Sequence, residues 1–226
     1  YKGRTVQKMI HTEFPKSAQL GIVAVLISIL IGVPFGITSA LRQGKWQDHT
    51  VMVLATLGIT VPSFVLATLL YYFFVVKLKW FPSRGWGSAA HFVLPAIALA
   101  GSPTASISRL TRSSLLDVIR QDYIRTAKAK GIPDKVVVYK HALKNALIPV
   151  VTYLGPLVAS ILTGSFVIEK IFSIPGLGSE FVDSIGNRDY TVILGVTIFF
   201  SAFLILCNLI VDIIYVLVDP RIKYEK

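Results

Sequence analysis

The polar residues of this 226-residue chain offer little to catalysis. His11, His49, His91 and His141 stand singly, with neither a His-Glu-x-x-His pair nor metal-ligand spacing, so metal-assisted hydrolysis has no constellation to use. No Gly-x-x-x-x-Gly-Lys-Ser/Thr loop is present to cradle a nucleotide, and no Gly-x-Ser-x-Gly turn to present a nucleophile. Any ATP hydrolysis must therefore belong to another polypeptide. The single cysteine, Cys207, lies in an apolar run, which excludes a disulfide within the chain and reads as a packed thiol. One acid stands deep in an apolar segment: Asp212, with Asn208 one turn before it. Asp212 precedes Asp219 by seven residues, ~10 Å along a helix, and a carboxylate there is costly unless paired or protonated. Both are candidate intramembrane polar residues. A lone acid near one interface suits a tie to a basic neighbour better than a substrate path or an intramembrane catalytic pair.

Chemistry of a mechanical kind, docking and leverage, is concentrated between Arg109 and Val150, the one long polar stretch among apolar runs. It carries nine Lys/Arg against three acids, Asp117, Asp122 and Asp134. Leu115, Leu116, Ile119, Tyr123 and Ala127 recur at spacings of three and four, which predicts one helix face, and Ser114 with Asp117 matches a capping box unless the preceding span continues as helix. Gly131 suits a left-handed helix end, and Pro133 the first turn of a second helix from about Asp134 to Leu147. The expected product is a helix, a sharp bend and a second helix held at a membrane surface.

The elements around this segment are membrane spans. Apolar residues make up 54% of the chain and charged ones 15%, with a mean hydropathy of +0.66. Five runs are long enough for a ~30 Å hydrocarbon core: residues 18–41, 51–76, 92–110, 147–168 and 191–218. Residues 1–17 form an N-terminal segment outside, 111–146 an inside loop and 219–226 an inside tail. Fourteen Lys/Arg fall inside and nine outside in this arrangement, as the positive-inside rule favours. The +11 net charge thus points to loops and anionic lipid headgroups, not nucleic acid, since no basic stripe is interleaved with an aromatic platform.

Four spans are interrupted by proline and glycine, among them Pro34, Pro62, Pro103 and Pro156, a pattern that fits a bundle around a pathway. Small residues four apart, Gly32 with Gly36 and Gly155, Ala159 with Thr163, predict close helix contacts. In the loop from Glu169 to Tyr190, Pro175, Gly176 and Gly178 predict a tight turn, and Ile171, Phe172 and Ile174 give it an apolar side able to re-enter the bundle.

Arg125, Thr126 and Ala127, then Gly131, and the run HisAlaLeuLysAsnAlaLeuIlePro from His141 to Pro149 resemble the coupling loop of binding-protein-dependent ABC importer permeases. They are most similar to the B-type permease of oligopeptide and dipeptide systems. The family loop begins Glu-Ala-Ala, has Gly four residues after the last Ala, and ends in Ile-x-Leu-Pro. Here Arg125 and Thr126 replace Glu and Ala, and His141 and Lys144 replace Ile and Pro, as the peptide-type subgroup does. The similarity continues through PheValIleGluLysIlePheSerIleProGlyLeuGly at 166–178, AsnArgAspTyr at 187–190 and AspProArg at 219–221.

The resemblance implies an all-α integral membrane protein with the type I ABC importer transmembrane fold, in a prokaryotic cell membrane, its C-terminus cytoplasmic. Family members have six spans with both ends inside, so a further N-terminal span is expected before residue 1. Implied partners are a second homologous permease subunit, two ATPase subunits carrying ATP and Mg, an extracytoplasmic peptide-binding protein, the peptide and membrane lipid; no cofactor is expected in this chain. Asp122, Tyr123, Arg125, Thr126, Ala127, Lys128, Ala129, Lys130, Gly131, Ile132 and Pro133 would couple to the ATPase, with Tyr123, Ala127, Gly131 and Ile132 as the docking knob. Ile174 to Gly178 would gate the pathway or meet the binding protein. Alternative readings are a permease for nickel or another small chelate, and a non-transporting membrane anchor.

Overall fold

The computed structural model describes residues 5–83, 85–162 and 166–218, with side chains of the last helix described through Ile210 and at Ile213. Among these residues every regular element is helical. The first helix, α1 (Val6–Leu41), begins where Thr5 Oγ1 accepts the Lys8 amide at 3.3 Å. Residues 6–17 are therefore part of this helix and not the separate segment expected from the hydropathy pattern. Tertiary packing extends it: Met9, Glu13 and Ser17, four apart, are all buried, and Met9 packs in a cluster with Leu177, Val192 and Val196.

The run expected as one span over 51–76 is two helices, α2 (Trp46–Thr60) and α3 (Ser63–Lys77), bent by 100°. Pro62 explains the break. It has no amide to continue the helix, and its ring pushes the preceding residue out of the helical region; Val61 is extended at φ −78°, ψ 119°. The last seven residues of α3, Tyr71–Lys77, widen into a π-helix.

A second long helix, α4 (Ala89–Ile119), packs along α1 and forms the centre of the bundle. Two short helices follow, α5 (Asp122–Ala129) and α6 (Asp134–Ala146), the latter with a π-helical stretch over Val137–Ala142. Helix α7 (Ile148–Leu162) continues α6 after a 45° bend. Two further short helices, α8 (Phe166–Ile171) and α9 (Leu177–Gly186), lead into α10 (Tyr190–Val218). By length and apolar character α1, α4 and the described part of α10 each suffice to cross a membrane, and each bent pair makes one more crossing if counted as a unit, giving up to five. Helix α10 leaves Leu194, Ile198, Ile205 and Leu209 exposed, an apolar surface suited to lipid or to another membrane helix.

Glycines set the spacing of the two long helices. A Cβ on Gly32 would stand 2.8 Å from Ile107 Cγ2, and one on Gly36 only 2.6 Å from the Ser108 carbonyl oxygen. The expected contact by Gly32 and Gly36 is thus made against α4. Gly155 and Ala159 are both buried on α7, while Thr163 lies outside the described residues. Four apolar clusters run along the bundle, and the one nearest the polar segment joins Ile37 and Ala40 of α1, Leu115 of α4, Ile124 of α5, and Val137, Ala142 and Ala146 of α6.

Replacing Gly36 with valine should destabilise the bundle by about 3 kcal/mol, the upper end of overpacking costs, because the obstructing atoms include backbone. Fluorescence-detected size-exclusion chromatography of the detergent-solubilised variant after a heating series checks this; a midpoint equal to the parent chain's would contradict the close approach.

Candidate functional site

The polar segment is built from the inside out. Helix α4 stops at Ile119, Arg120 caps it, and Gln121 turns extended at φ −69°, ψ 150° before α5 starts. This break overturns the continuous face expected for Leu115, Leu116, Ile119, Tyr123 and Ala127. It also places Ser114 within α4, so no capping box forms. After the break α5 is re-aimed: Ile124 is fully buried, and Tyr123 is 44% exposed, its hydroxyl accepting from Asn145 Nδ2 of α6 at 2.8 Å. The periodic pattern read across the break gave the right period with the wrong phase.

Among the candidate coupling residues, Asp122, Tyr123, Arg125, Thr126, Lys128, Ala129, Lys130, Gly131 and Pro133 are exposed. Ala127 and Ile132 are half-buried and lean on the Ile124 cluster, so of the four knob residues only Tyr123 and Gly131 face outward. Gly131 takes φ +77°, a left-handed conformation costing an L-residue roughly 1–2 kcal/mol, and open space surrounds the position of a Cβ there. Its amide bonds the Lys128 carbonyl at 2.9 Å and closes the end of α5. Lys128 reaches across this turn to Asp134 at 3.0 Å, while Arg125 and Asp122 pair within α5 at 3.6 Å. Both pairs are largely exposed and contribute at most about 1 kcal/mol each.

A buried ion pair next to this segment escaped the sequence reading. Asp48, in the first turn of α2, is 3% exposed. Its carboxylate accepts from Arg112 Nε at 2.7 Å and Nη2 at 2.8 Å, from Ser39 Oγ at 2.5 Å and from the Gly44 amide at 2.9 Å. In the sequence pattern Arg112 is one of the charges that orient the chain and carries no sign of a partner. The planar fork of a guanidinium fits this two-point contact. The tie joins the ends of α1 and α2 to α4, one turn before Leu115 enters the coupling cluster. The only sequence signal for it was an acid between Lys45 and an apolar run.

The 169–179 loop forms a second constellation. Ile174 and Leu177 are buried in two different apolar clusters, which fasten the turn on both sides. The Leu177 amide donates to Ser17 Oγ of α1 at 3.0 Å, and the Ser179 amide to Glu169 Oε2 at 3.1 Å. A Cβ on Gly176 would collide with both Glu169 Oε2 and Ser17 Oγ, so glycine is required by close approach, not by backbone twist. Pro175 is exposed, and Gly178 is buried beside Phe166. Glu169 itself is fully buried, and its Oε1 has no hydrogen-bond partner. Burial pushes its carboxyl above the ordinary value of 4.5, against the Ser17 hydroxyl and the Ser179 and Gly178 amides, which pull it down.

Of the candidate intramembrane polar residues, Asn208 is exposed on α10, and the side chain of Asp212 lies outside the described residues. The two constellations meet α1 at well-separated levels: Ser17 meets the loop and Ala40 the Ile124 cluster, about 35 Å apart at the rise of a helix. That separation is close to one hydrocarbon thickness.

Residues 32–224 match the family model for binding-protein-dependent transport system inner membrane components. The chain belongs to that family. Curated relatives extend the match to nearly its whole length. The dipeptide transport system permease protein DppB of Bacillus subtilis is 54% identical over 98% of this chain and 72% of its own length. The oligopeptide transport system permease protein OppB of Salmonella typhimurium is 45% identical over 99% of this chain and 74% of its own. Among solved structures, the MetNI methionine ABC transporter in inward-facing conformations aligns with a TM-score of 0.77 at 18% identity, over 94% of this chain and 97% of that one. The fold is therefore that of an ABC importer transmembrane subunit, and the chain is an inner membrane component of a transport system.

Because the folded chain holds the Glu169 proton more tightly than the unfolded chain does, this group's contribution to stability is full below pH 4.5. It is lost as pH rises through the raised folded value. Glu169→Gln should flatten that loss, so thermal midpoints of parent and variant compared from pH 4 to 8 should diverge upward in the variant's favour; parallel curves would assign the pH dependence elsewhere. Ile124→Ala should cost about 2–5 kcal/mol, as for other fully buried aliphatic residues, and protease nicking near Lys128 and Lys130 should rise with it.

Proposed function

We propose that this chain is one half of the translocation pathway of an ATP-driven importer of dipeptides or oligopeptides. The observation that carries this reading is the extent of its likeness to peptide permeases, 54% and 45% identity over 98% and 99% of the chain. A second, homologous permease supplies the other half, and two ATPase subunits bind ATP and Mg. An extracytoplasmic binding protein delivers the peptide. The excess of Lys/Arg around residues 109–144 supports a cytoplasmic position for the coupling segment and the C-terminus.

The geometry supports a mechanical role for each end. An ATPase gripping the exposed side of α5 and the Gly131 turn acts on a rigid body, because Ile124 locks α5 to α1, α4 and α6. The Asp48–Arg112 tie fixes the same ends of α1, α2 and α4 to one another. Displacement of α5 is then carried along α1 and α4 to the opposite end of the bundle, where Ser17 holds the 173–178 loop. A closed ATPase dimer and a ligand-loaded binding protein thus act on two ends of the same helices.

The direct test is purification of the full-length chain with its co-expressed partners, followed by ATPase assay with a binding protein and a set of peptides. Peptide-dependent stimulation of several-fold is expected. Stimulation by a nickel chelate in place of peptides would overturn the substrate class, and a folded chain that purifies alone and silent would favour an anchor. Gly131→Val should abolish uptake and ATPase stimulation, through left-handed strain and a branched side chain on the docking turn, while leaving thermal stability within about 2 kcal/mol of the parent.

A further inference from the structure

A cavity of about 450 Å³ opens between the last turns of α1 and α4, α5 and the π-helical part of α6. Its open wall is apolar, formed by Leu41, Leu116 and Ile119, and backed by the buried Ile124 and Val137. Its rim is basic, with Arg120, Lys128 and Lys135 against the single acid Asp134. Asp134 is taken by Lys128 at 3.0 Å, and among the described residues neither Arg120 nor Lys135 has an acidic partner. The π-helical stretch helps to shape the slot: Val137 and Val138, consecutive in sequence, are both buried and both line it.

The position of the cavity decides what fits it. Leu41 is the last residue of α1, and Arg42, Gln43, Gly44 and Lys45 follow at once, so the cavity lies where the apolar run gives way to charge. At that depth a membrane presents phosphate beside the first methylenes of an acyl chain. A free anion would leave the apolar wall unused, and a zwitterionic lipid would bring its own cation against the Arg120, Lys128 and Lys135 rim. Basic pockets between membrane helices at this level select anionic headgroups.

We propose that this cavity binds one anionic phospholipid, its phosphate on Arg120 and Lys135 and an acyl chain along Leu116 and Ile119. The site rests on the chain being a membrane component and not on which solute it moves.

The test is native mass spectrometry of the full-length chain in non-ionic detergent, titrated with dioleoylphosphatidylglycerol or dioleoylphosphatidylcholine. One phosphatidylglycerol per chain should bind on the order of ten-fold more tightly than phosphatidylcholine. Arg120→Gln with Lys135→Gln should bring that preference to about two-fold or less, whereas Lys77→Gln with Lys79→Gln, removing equal charge away from the cavity, should leave it intact. Lys135→Gln alone, on the exposed rim, should show part of the same loss without risk to the fold. Leu116→Trp should displace the bound lipid whatever its headgroup. Equal binding of the two lipids, or a preference that survives loss of both cations, would falsify the site. Displacement of phosphatidylglycerol by equimolar glycerol phosphate would reduce it to a simple anion site and overturn the lipid assignment.

Discussion

The close approach of α1 and α4 is the contact on which the rest of the bundle depends. Helix–helix contact in lipid gains nothing from apolar transfer between phases, so dispersion between closely spaced backbones has to supply the attraction. Gly32 and Gly36 permit that spacing, with Ile107, Ser108 and Thr111 filling the space where side chains would stand. Most other elements are positioned against this pair, while α10 packs mainly on α7. The kinked α2–α3 unit lies on α4, α7 lies on both α1 and α4, and the short helices close the ends.

Polar ties then fix the ends of the helices where apolar packing alone would leave them free to slide. Asp48 gathers donors from α1, from the turn after it and from α4, and a carboxylate so enclosed is tolerable only because all of these are present at once. At the opposite end Glu169 has fewer donors. Its donors are all neutral, the Ser17 hydroxyl and the Ser179 and Gly178 amides, and Oε1 has no partner, so burial prevails and favours the protonated acid. One end of the bundle is therefore a charge-paired clamp, and the other a loop held mainly by apolar contacts and glycine-permitted proximity.

The irregular backbone has local causes. Pro62 turns α2 away from α3 by removing an amide and excluding helical geometry from Val61. The π-helical stretches at Tyr71–Lys77 and Val137–Ala142 fall in short helices at the ends of the bundle and not in its central pair. The polar segment, in consequence, is an assembly of short rigid pieces around one apolar cluster.

Composition and residue type determined the membrane class, the apolar runs and the left-handed turn at Gly131, because hydropathy and glycine's backbone freedom act locally. They also carried the family, since the motifs from Arg125 to Gly131 and from Phe166 to Gly178 are contiguous in sequence. Tertiary structure alone decided the phase of α5, because the extended Gln121 resets the helix and makes Ile124, not Ala127, the buried anchor. It alone decided that residues 6–17 are helical, through partners more than 150 residues away, as in the Ser17–Leu177 hydrogen bond. It also decided that Arg112 serves Asp48, 64 residues away, beyond its part in orienting the chain. Contacts at such separations leave no periodic trace along the chain; they exist only once the glycines of α1 have brought α4 close enough for side chains at the helix ends to meet.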